Sequence, residues 1–366
     1  MDLFLYNARV WQGKGRFASS IVLRRGRVAA VGDRSVTERQ ATGCTAIDCG
    51  GRTVIPGFFD PYFRLTEAFA PLPEKKREWK SCLLAWLRQV GDRGITTFIS
   101  PELGQELPEG VLPVLRQLYR EEVALPRLLF WQNGVQDPTA IQSMRRWPAF
   151  AGRLADPQVL LRPYPQPGLT AFAVPDGESL GRVLSLLEAR PQETGRLQRT
   201  ALLGASCTTP EQMRIMGELK LEIVAFPGRL EESLLACTGL PGISADTCCA
   251  WRTLSHLGAK VAFGGLDRTF PFAALQQAVC RREVSPTGKE HPSREALTVE
   301  EALCAMSRMA ARLDFWEDAL GCLEPGWQAD LQVLSADPFT CPAAELGSIH
   351  PLLVTAAGQI LHREIS

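Results

Sequence analysis

The sequence predicts an α/β protein: a distorted (β/α)8 barrel carrying a small β-sandwich assembled from both termini. Three observations lead there. The middle of the chain repeats an apolar strand, a turn and an amphipathic helix, the pattern of parallel βα units. Both ends carry short strands of β-branched and apolar residues punctuated by Gly, Asp and Arg turns. A length of 366 residues accommodates a barrel of about 250 residues beside a smaller unit. The expected division is residues 1–56 with 321–366 for the composite β domain, and 57–320 for the barrel.

Taken in order, residues 3–10 and 20–31 read as strands, and Arg24-Arg25-Gly26-Arg27 as the turn between two of them. Gly32 and Asp33 are expected to close a further hairpin, and Thr45-Ala46-Ile47-Asp48 to lead into Gly50-Gly51, giving a small antiparallel unit. The first barrel strand lies within Val54 to Asp60, and Pro71 to Lys80 is a loop before a tryptophan-bearing amphipathic helix. Strands two to four are read at 94–100, 127–131 and 158–162; strands five to eight at 170–174, 199–204, 221–226 and 260–265. A helix from Glu178 to Ala189 follows strand five, and Thr209-Pro210-Glu211 and Thr298 each open a helix with a hydroxyl cap. Leu331 to Leu334 and a hairpin around Gly358 complete the terminal sheet. Catalysis on such a barrel sits at the carboxyl ends of its strands.

Forty basic and forty acidic side chains cancel, which leaves no general electrostatic footprint for nucleic acid or an anionic membrane. No apolar run approaches the ~18–20 residues of a membrane span, and the first residues lack the features of an export signal, so a soluble cytoplasmic protein is expected. The eleven cysteines are an odd number without Cys-x-x-Cys spacing, several of them (Cys82, Cys237, Cys280, Cys304) set among apolar residues. Buried reduced thiols are the reading this favours over a disulfide framework. Cys248 and Cys249 with His256 are read as helical core residues rather than a thiolate and its base. Cys44 and Cys49 flank a strand; Trp86, Trp131, Trp147 and Trp316 are read as core, with a pocket lining as the alternative.

Val54-Ile55-Pro56-Gly57-Phe58-Phe59-Asp60, the strand Leu3 to Val10, the segment Arg27 to Gly32 and above all Gly321 to Leu334 resemble the amidohydrolase superfamily, in its N-substituted-formamide-deformylase-like branch. The resemblance spans nearly the whole chain and is weakest between about residues 70 and 200. It implies a barrel in which a bound divalent metal lowers the pKa of water to about 7 and a strand-eight aspartate takes its proton. It also implies ligands that this sequence does not carry. The two first-strand histidine positions hold Tyr62 and Arg64; the strand-four lysine falls near Arg162; strand five offers Val174 or a neighbour; strand six reads Ala201-Leu202. Strand eight reads Gly264-Gly265-Leu266, with Asp267 displaced by one position. Only four histidines exist, His256, His291, His350 and His362, and none falls at an expected strand end. An imidazole donates a lone pair to a metal, whereas a guanidinium has only donor hydrogens and a fixed positive charge.

Asp60, Tyr62, Arg64, Arg162 and Asp267 are therefore the candidate pocket residues, with no metal ligand and no catalytic residue assigned. Asp60 and Asp267 could act as acid and base or as a weak hard-metal site; the plainer expectation is that Asp60 braces the first loop and Asp267 caps a short helix. Arg64 and Arg162 could clamp a carboxylate or phosphate, or Arg64 could pair internally with Asp267. The leading expectation is a family member without the usual metal centre, acting by binding a small polar or anionic ligand or a partner chain, itself or another. The alternatives are an active hydrolase of non-peptide carbon–nitrogen bonds with an atypical or metal-free site, and a structural protein with a filled barrel. No cofactor is expected unless the first alternative holds, in which case zinc or a similar divalent metal is implied.

Overall fold

The amino-terminal residues form seven short strands: β1 (Leu3–Tyr6), β2 (Arg9–Trp11), β3 (Phe17–Ala18), β4 (Ser20–Arg24), β5 (Arg27–Gly32), β6 (Thr45–Asp48) and β7 (Thr53–Pro56). The computed structural model describes residues 2–365 apart from 69–70, 102–106, 122–123, 131–151, 155–167, 190–197, 238–239, 241–242, 244–246 and 285–289. β1 pairs antiparallel with β4 but parallel with β6, placing Leu3 opposite Thr45 and Tyr6 opposite Asp48. The expected hairpin at Gly32 and Asp33 is thus corrected. Asp33 precedes a one-turn helix, Arg34–Thr37, and this crossover returns the chain so that β6 runs alongside β1, because parallel partners cannot be joined by a tight turn. β2 and β7 are also parallel, so the unit is mixed rather than antiparallel.

Eight parallel strands follow: β8 (Phe58–Asp60), β9 (Ile95–Ser100), β10 (Arg127–Phe130), β11 (Gly152–Leu154), β12 (Gly168–Val174), β13 (Gln198–Gly204), β14 (Glu222–Ala225) and β15 (Lys260–Phe263). They hydrogen-bond as two sheets, in the orders β10-β9-β8 and β11-β12-β13-β14-β15. The Gln158 to Arg162 segment, read as strand four, lies outside the described residues, as do Trp131 and Trp147; the strand that edges β12 is Gly152–Leu154.

Alternation along these strands sorts side chains onto two faces, as a period of two requires. Phe58, Phe98, Leu128, Phe172, Leu202, Ile223 and Val261 pack with the helices, among them Trp79–Asp92, Val111–Arg120 and Gly177–Glu188. Phe59, Ile99, Leu129, Ala171, Ala201, Leu203, Val224 and Ala262 form a separate cluster on the other face, joined by Ala310, Ala311 and Leu313 of the helix Arg308–Leu313. Both parallel sheets contribute to this cluster, called the inner one below for the face it occupies opposite the helices named above. The helix starts are locally encoded: Asp176 with Ser179, Thr209 with Gln212 and Thr298 with Glu301 make reciprocal capping boxes.

After the short antiparallel pair β16 (Arg282–Val284) and β17 (Glu290–Pro292), the chain ends in β18 (Leu331–Leu334), β19 (Pro351–Ala356) and β20 (Gln359–Arg363). These join the amino-terminal strands in a six-stranded sheet, β20-β19-β18-β7-β2-β3. His256 lies in the helix Trp251–Leu257, His291 in β17 rather than in a loop, and His362 in β20.

Two thiol expectations are corrected. Cys207 and Cys237 form a disulfide, a pairing that bridges 30 residues of sequence and that spacing alone cannot reveal. Cys248 and Cys249 are not helical: they precede the helix that starts at Trp251, and Cys249 has a left-handed backbone (φ 50°). No described helix is long and apolar enough to cross a membrane.

Candidate site at the carboxyl ends of the parallel strands

Asp60 ends β8 and is fully buried. Its carboxylate accepts three backbone N–H bonds: Oδ1 from Tyr62 (2.9 Å) and Gly265 (3.1 Å), Oδ2 from Leu266 (2.8 Å). Two of these donors belong to the turn after β15, so Asp60 ties the ends of the first and last parallel strands together, assisted by the Gly265 N–H bond to the Tyr62 carbonyl (2.9 Å). The glycines make this possible. Gly265 turns with φ +74°, aiming successive N–H groups at the carboxylate, and a Cβ on Gly264 would sit 3.2 Å from Asp60 Oδ1 and 3.0 Å from Val224.

Asp267 follows in the same turn. It does not cap a helix, since the next one, Pro271–Val279, begins with Phe270 at its cap position. Burial pushes Asp60 well above the ordinary carboxylate range, and the neighbouring Asp267 adds to this against the pull of the three N–H donors. Burial likewise pushes Asp267 up to about 6, with Glu67 raising it further and Arg268 and Arg229 opposing. The structure thus brings the two sequence-flagged carboxylates into one electrostatic unit.

Arg64 pairs with Glu67, one turn further on, and Glu67 also takes Arg268 at 2.5 Å. The pair with Asp267, one of the two possibilities raised for Arg64, is not the one described here; the pair with Glu67 has a three-residue spacing that the sequence already carried. Arg162 lies outside the described residues. Tyr62 stacks edge-on against Phe226 at 5.4 Å and joins the inner cluster. Glu67, Phe226, Arg229 and Arg268 are the neighbours that sequence reasoning missed.

The positions facing inward at the strand ends decide what this site can hold. Alternation puts Ala173, not Val174, on the inner face of β12, since Val174 packs with the helices. Ala201 and Leu202 are in the middle of β13, and its end carries Leu203, Gly204 and Ala205. Ile99, Leu129, Ala173, Leu203, Phe226 and Gly264 present hydrogen and carbon there, and the heteroatoms described around them are the Tyr62 phenol and the carboxylates of Asp60, Glu67 and Asp267. A catalytic zinc site takes three protein donors, commonly imidazoles; no described histidine lies at the carboxyl ends of β8–β15, Asp60 is taken up by backbone N–H groups and Glu67 by two arginines, so these residues do not fit one.

The raised Asp267 has a measurable consequence. A carboxylate whose folded pKa exceeds its unfolded value costs stability as pH climbs from the ordinary value to the raised one, and the cost is constant above it. Asp267→Asn should therefore be more stable than the parent above pH 6 by on the order of 1–2 kcal/mol, allowing for partial solvent screening. Below about pH 4 the difference should vanish. Urea titrations at the two ends of this range check it, and a variant less stable at pH 7 would show that Asp267 holds the turn together.

Comparison with known proteins places this geometry. The model of the amidohydrolase family matches residues 168–362. The Bacillus subtilis (strain 168) protein named "Putative amidohydrolase YtcJ" is 27% identical over 253 residues, 59% of this chain and 46% of that protein. The chain thus spans about half the length of the curated relative it matches. Among solved structures, an uncharacterized metal-dependent hydrolase from Pyrococcus furiosus superposes with a TM-score of 0.71 at 16% identity, over 93% of this chain and 100% of that one. A Xaa-Pro dipeptidase with methionine in its active site gives 0.66 at 15% identity, over 98% and 99% of the two chains. At such identities the likeness is one of fold.

Proposed function

The chain belongs to the amidohydrolase family, and from that premise we propose that it uses the family scaffold without the family's metal centre, as a binding protein with no hydrolytic turnover. The supporting observation is that no described histidine lies at the carboxyl ends of the parallel strands, and that the two first-strand positions where the fold would hold metal carry Tyr62 and Arg64. The most ligand-like residue, Asp60, already spends both oxygens on backbone N–H groups. In this reading the eight parallel strands close into one barrel, since both sheets feed a single inner cluster. Residues 57–320 form that barrel, and 1–56 with 321–366 the β-sandwich domain beside it. The formamide-deformylase-like branch, through the Gly321 to Leu334 element, and a cytoplasmic location belong to the same reading.

The ligand is a small molecule with a polar or anionic end. Arg64, Arg229 and Arg268 gather around Glu67 and Asp267, and the Tyr62–Phe226 pair offers an apolar wall for the remainder. Calorimetric titration with small aromatic and aliphatic carboxylates should find a binder whose affinity drops about tenfold or more in Arg268→Ala. Hydrolysis of N-acyl or N-formyl amides that stops in chelator and returns with added zinc would overturn the proposal.

A second reading rests on the coupled carboxylates. Asp60 and Asp267, both pushed toward neutrality, are an acid–base pair of the kind that metal-free hydrolysis would use. Hydrolysis that persists in chelator and depends on Asp267 would favour it.

A further inference from the structure

Loops from three successive strand units bring four cysteines together. Cys207 lies just beyond β13, Cys237 ends the helix Leu230–Cys237 that follows β14, and Cys248 and Cys249 precede the helix leading to β15. Cys207 and Cys248 face each other as an antiparallel bridge, flanked by the Thr208 N–H bond to the Thr247 carbonyl (3.3 Å) and the Cys249 N–H bond to the Ser206 carbonyl (2.6 Å). The Cys248 thiol donates to the carbonyl of Ser233, one turn before Cys237 on the same helix (3.6 Å). The sulfurs of Cys207, Cys237 and Cys248 all lie within 4.8 Å of one another. Thiolates about 2.3 Å from a zinc ion at tetrahedral angles stand roughly 3.8 Å apart, so small side-chain rotations separate this cluster from a coordinating triangle.

A buried cation is packed against the same segment. Arg281 is buried, and its guanidinium donates to the carbonyls of Cys248 (2.8 Å) and Cys249 (2.6 Å), fixing a positive charge beside the sulfurs. Cys237 and Cys248 are buried and Cys207 partly so. None of these residues is part of the Asp60 site.

The geometry points to a thiolate metal site: with the Cys207–Cys237 disulfide reduced, Cys207, Cys237 and Cys248 together bind one soft divalent ion of the zinc type. Reduction by a dithiol delivers two electrons and two protons, leaving two cysteine thiols and the reductant's own disulfide. Binding then forms three metal–sulfur bonds and releases three protons to solvent, so it strengthens with pH. Oxidation removes two of the three ligands at once, which makes metal binding conditional on redox state.

The test uses the full chain, reduced with a phosphine and titrated anaerobically with Co2+ and then Zn2+. Sulfur-to-cobalt charge-transfer absorption should saturate at about one ion per chain, disappear on adding zinc, and be absent from the oxidised protein. Cys248→Ser should lose at least about tenfold in affinity, while Cys82→Ser, away from the cluster, should bind as the parent does. As a check independent of any variant's folding, zinc should protect Cys207, Cys237 and Cys248 of the parent from iodoacetamide. Absence of the charge-transfer band in the reduced parent, full binding by a folded Cys248→Ser, or alkylation indifferent to zinc would each overturn the site. Because the band reports sulfur ligation alone, its outcome is independent of whether the strand ends catalyse hydrolysis.

Discussion

Replacing Arg127 by alanine is expected to cost the fold about 3–5 kcal/mol, a large loss for a residue outside the hydrophobic core. Arg127 opens β10, and its guanidinium makes a two-pronged pair with Asp330: Nη2 reaches Oδ1 at 2.7 Å and Nη1 bonds Oδ2. Nη1 also donates to Thr97 on the neighbouring strand at 3.2 Å, and Asp330 Oδ1 accepts the Ala357 N–H at 2.7 Å. Both side chains are only 3% exposed. The pair therefore joins the parallel sheet of β8–β10 to the terminal sheet, where Asp330 immediately precedes β18 and Ala357 follows β19.

The cost arises from what is left behind. Truncating the arginine strands a buried carboxylate with one N–H for company, and desolvation makes that far worse than losing a surface pair. Arg127→Lys should recover little, because an ammonium cannot supply the parallel fork that Asp330 meets. Changing both residues together to apolar ones of similar volume should cost less than either single truncation. Urea midpoints for the two singles and the double check this: single losses under about 1 kcal/mol would mean that the sheets are held together by packing alone.

Much of this frame was legible beforehand because strands buried on both faces read as continuous apolar runs. The segments read at 94–100, 199–204 and 260–265 overlap the strands Ile95–Ser100, Gln198–Gly204 and Lys260–Phe263 for that reason, their apolar residues being consecutive, and Thr209 and Thr298 announced their helices through local capping chemistry that needs no tertiary information. Several of the misreadings involve partners far apart in sequence. Nothing near Cys207 says that Cys237 is its partner, and nothing near Asp330 indicates Arg127, 203 residues away. The parallel pairing of β1 with β6 was hidden because Gly32 and Asp33 fit a hairpin turn as readily as a helix entry. At the candidate site, identity was readable and environment was not. Asp60 and Asp267 stood out as acids, but the burial that pushes both upward is a property of the assembled strands.

Asp60 decides between the two functional readings, and Asp60→Ala is the experiment. As a brace, its carboxylate satisfies three backbone N–H groups in two turns about 205 residues apart in the chain, and alanine would take that acceptor from all three, Gly265 keeping its second bond to the Tyr62 carbonyl. Each unpaired buried donor costs about 1–3 kcal/mol, less where water enters the space vacated, so a total loss of about 3–5 kcal/mol is expected. The Leu266 amide should exchange with solvent much faster, since the Asp60 bond that protects it is gone. Asp60→Asn should fall between parent and alanine: it sheds a charge that is costly to bury and keeps one acceptor oxygen, but turns an NH2 toward groups that only donate. As an acid or base, by contrast, Asp60 would owe its place to chemistry rather than to the fold. Alanine would then abolish turnover while moving the urea midpoint little, as strained or desolvated catalytic groups do when removed. A loss of 3–5 kcal/mol with no activity to lose supports a barrel held shut by its own carboxylate, while a stable, inactive variant would return the site to catalysis.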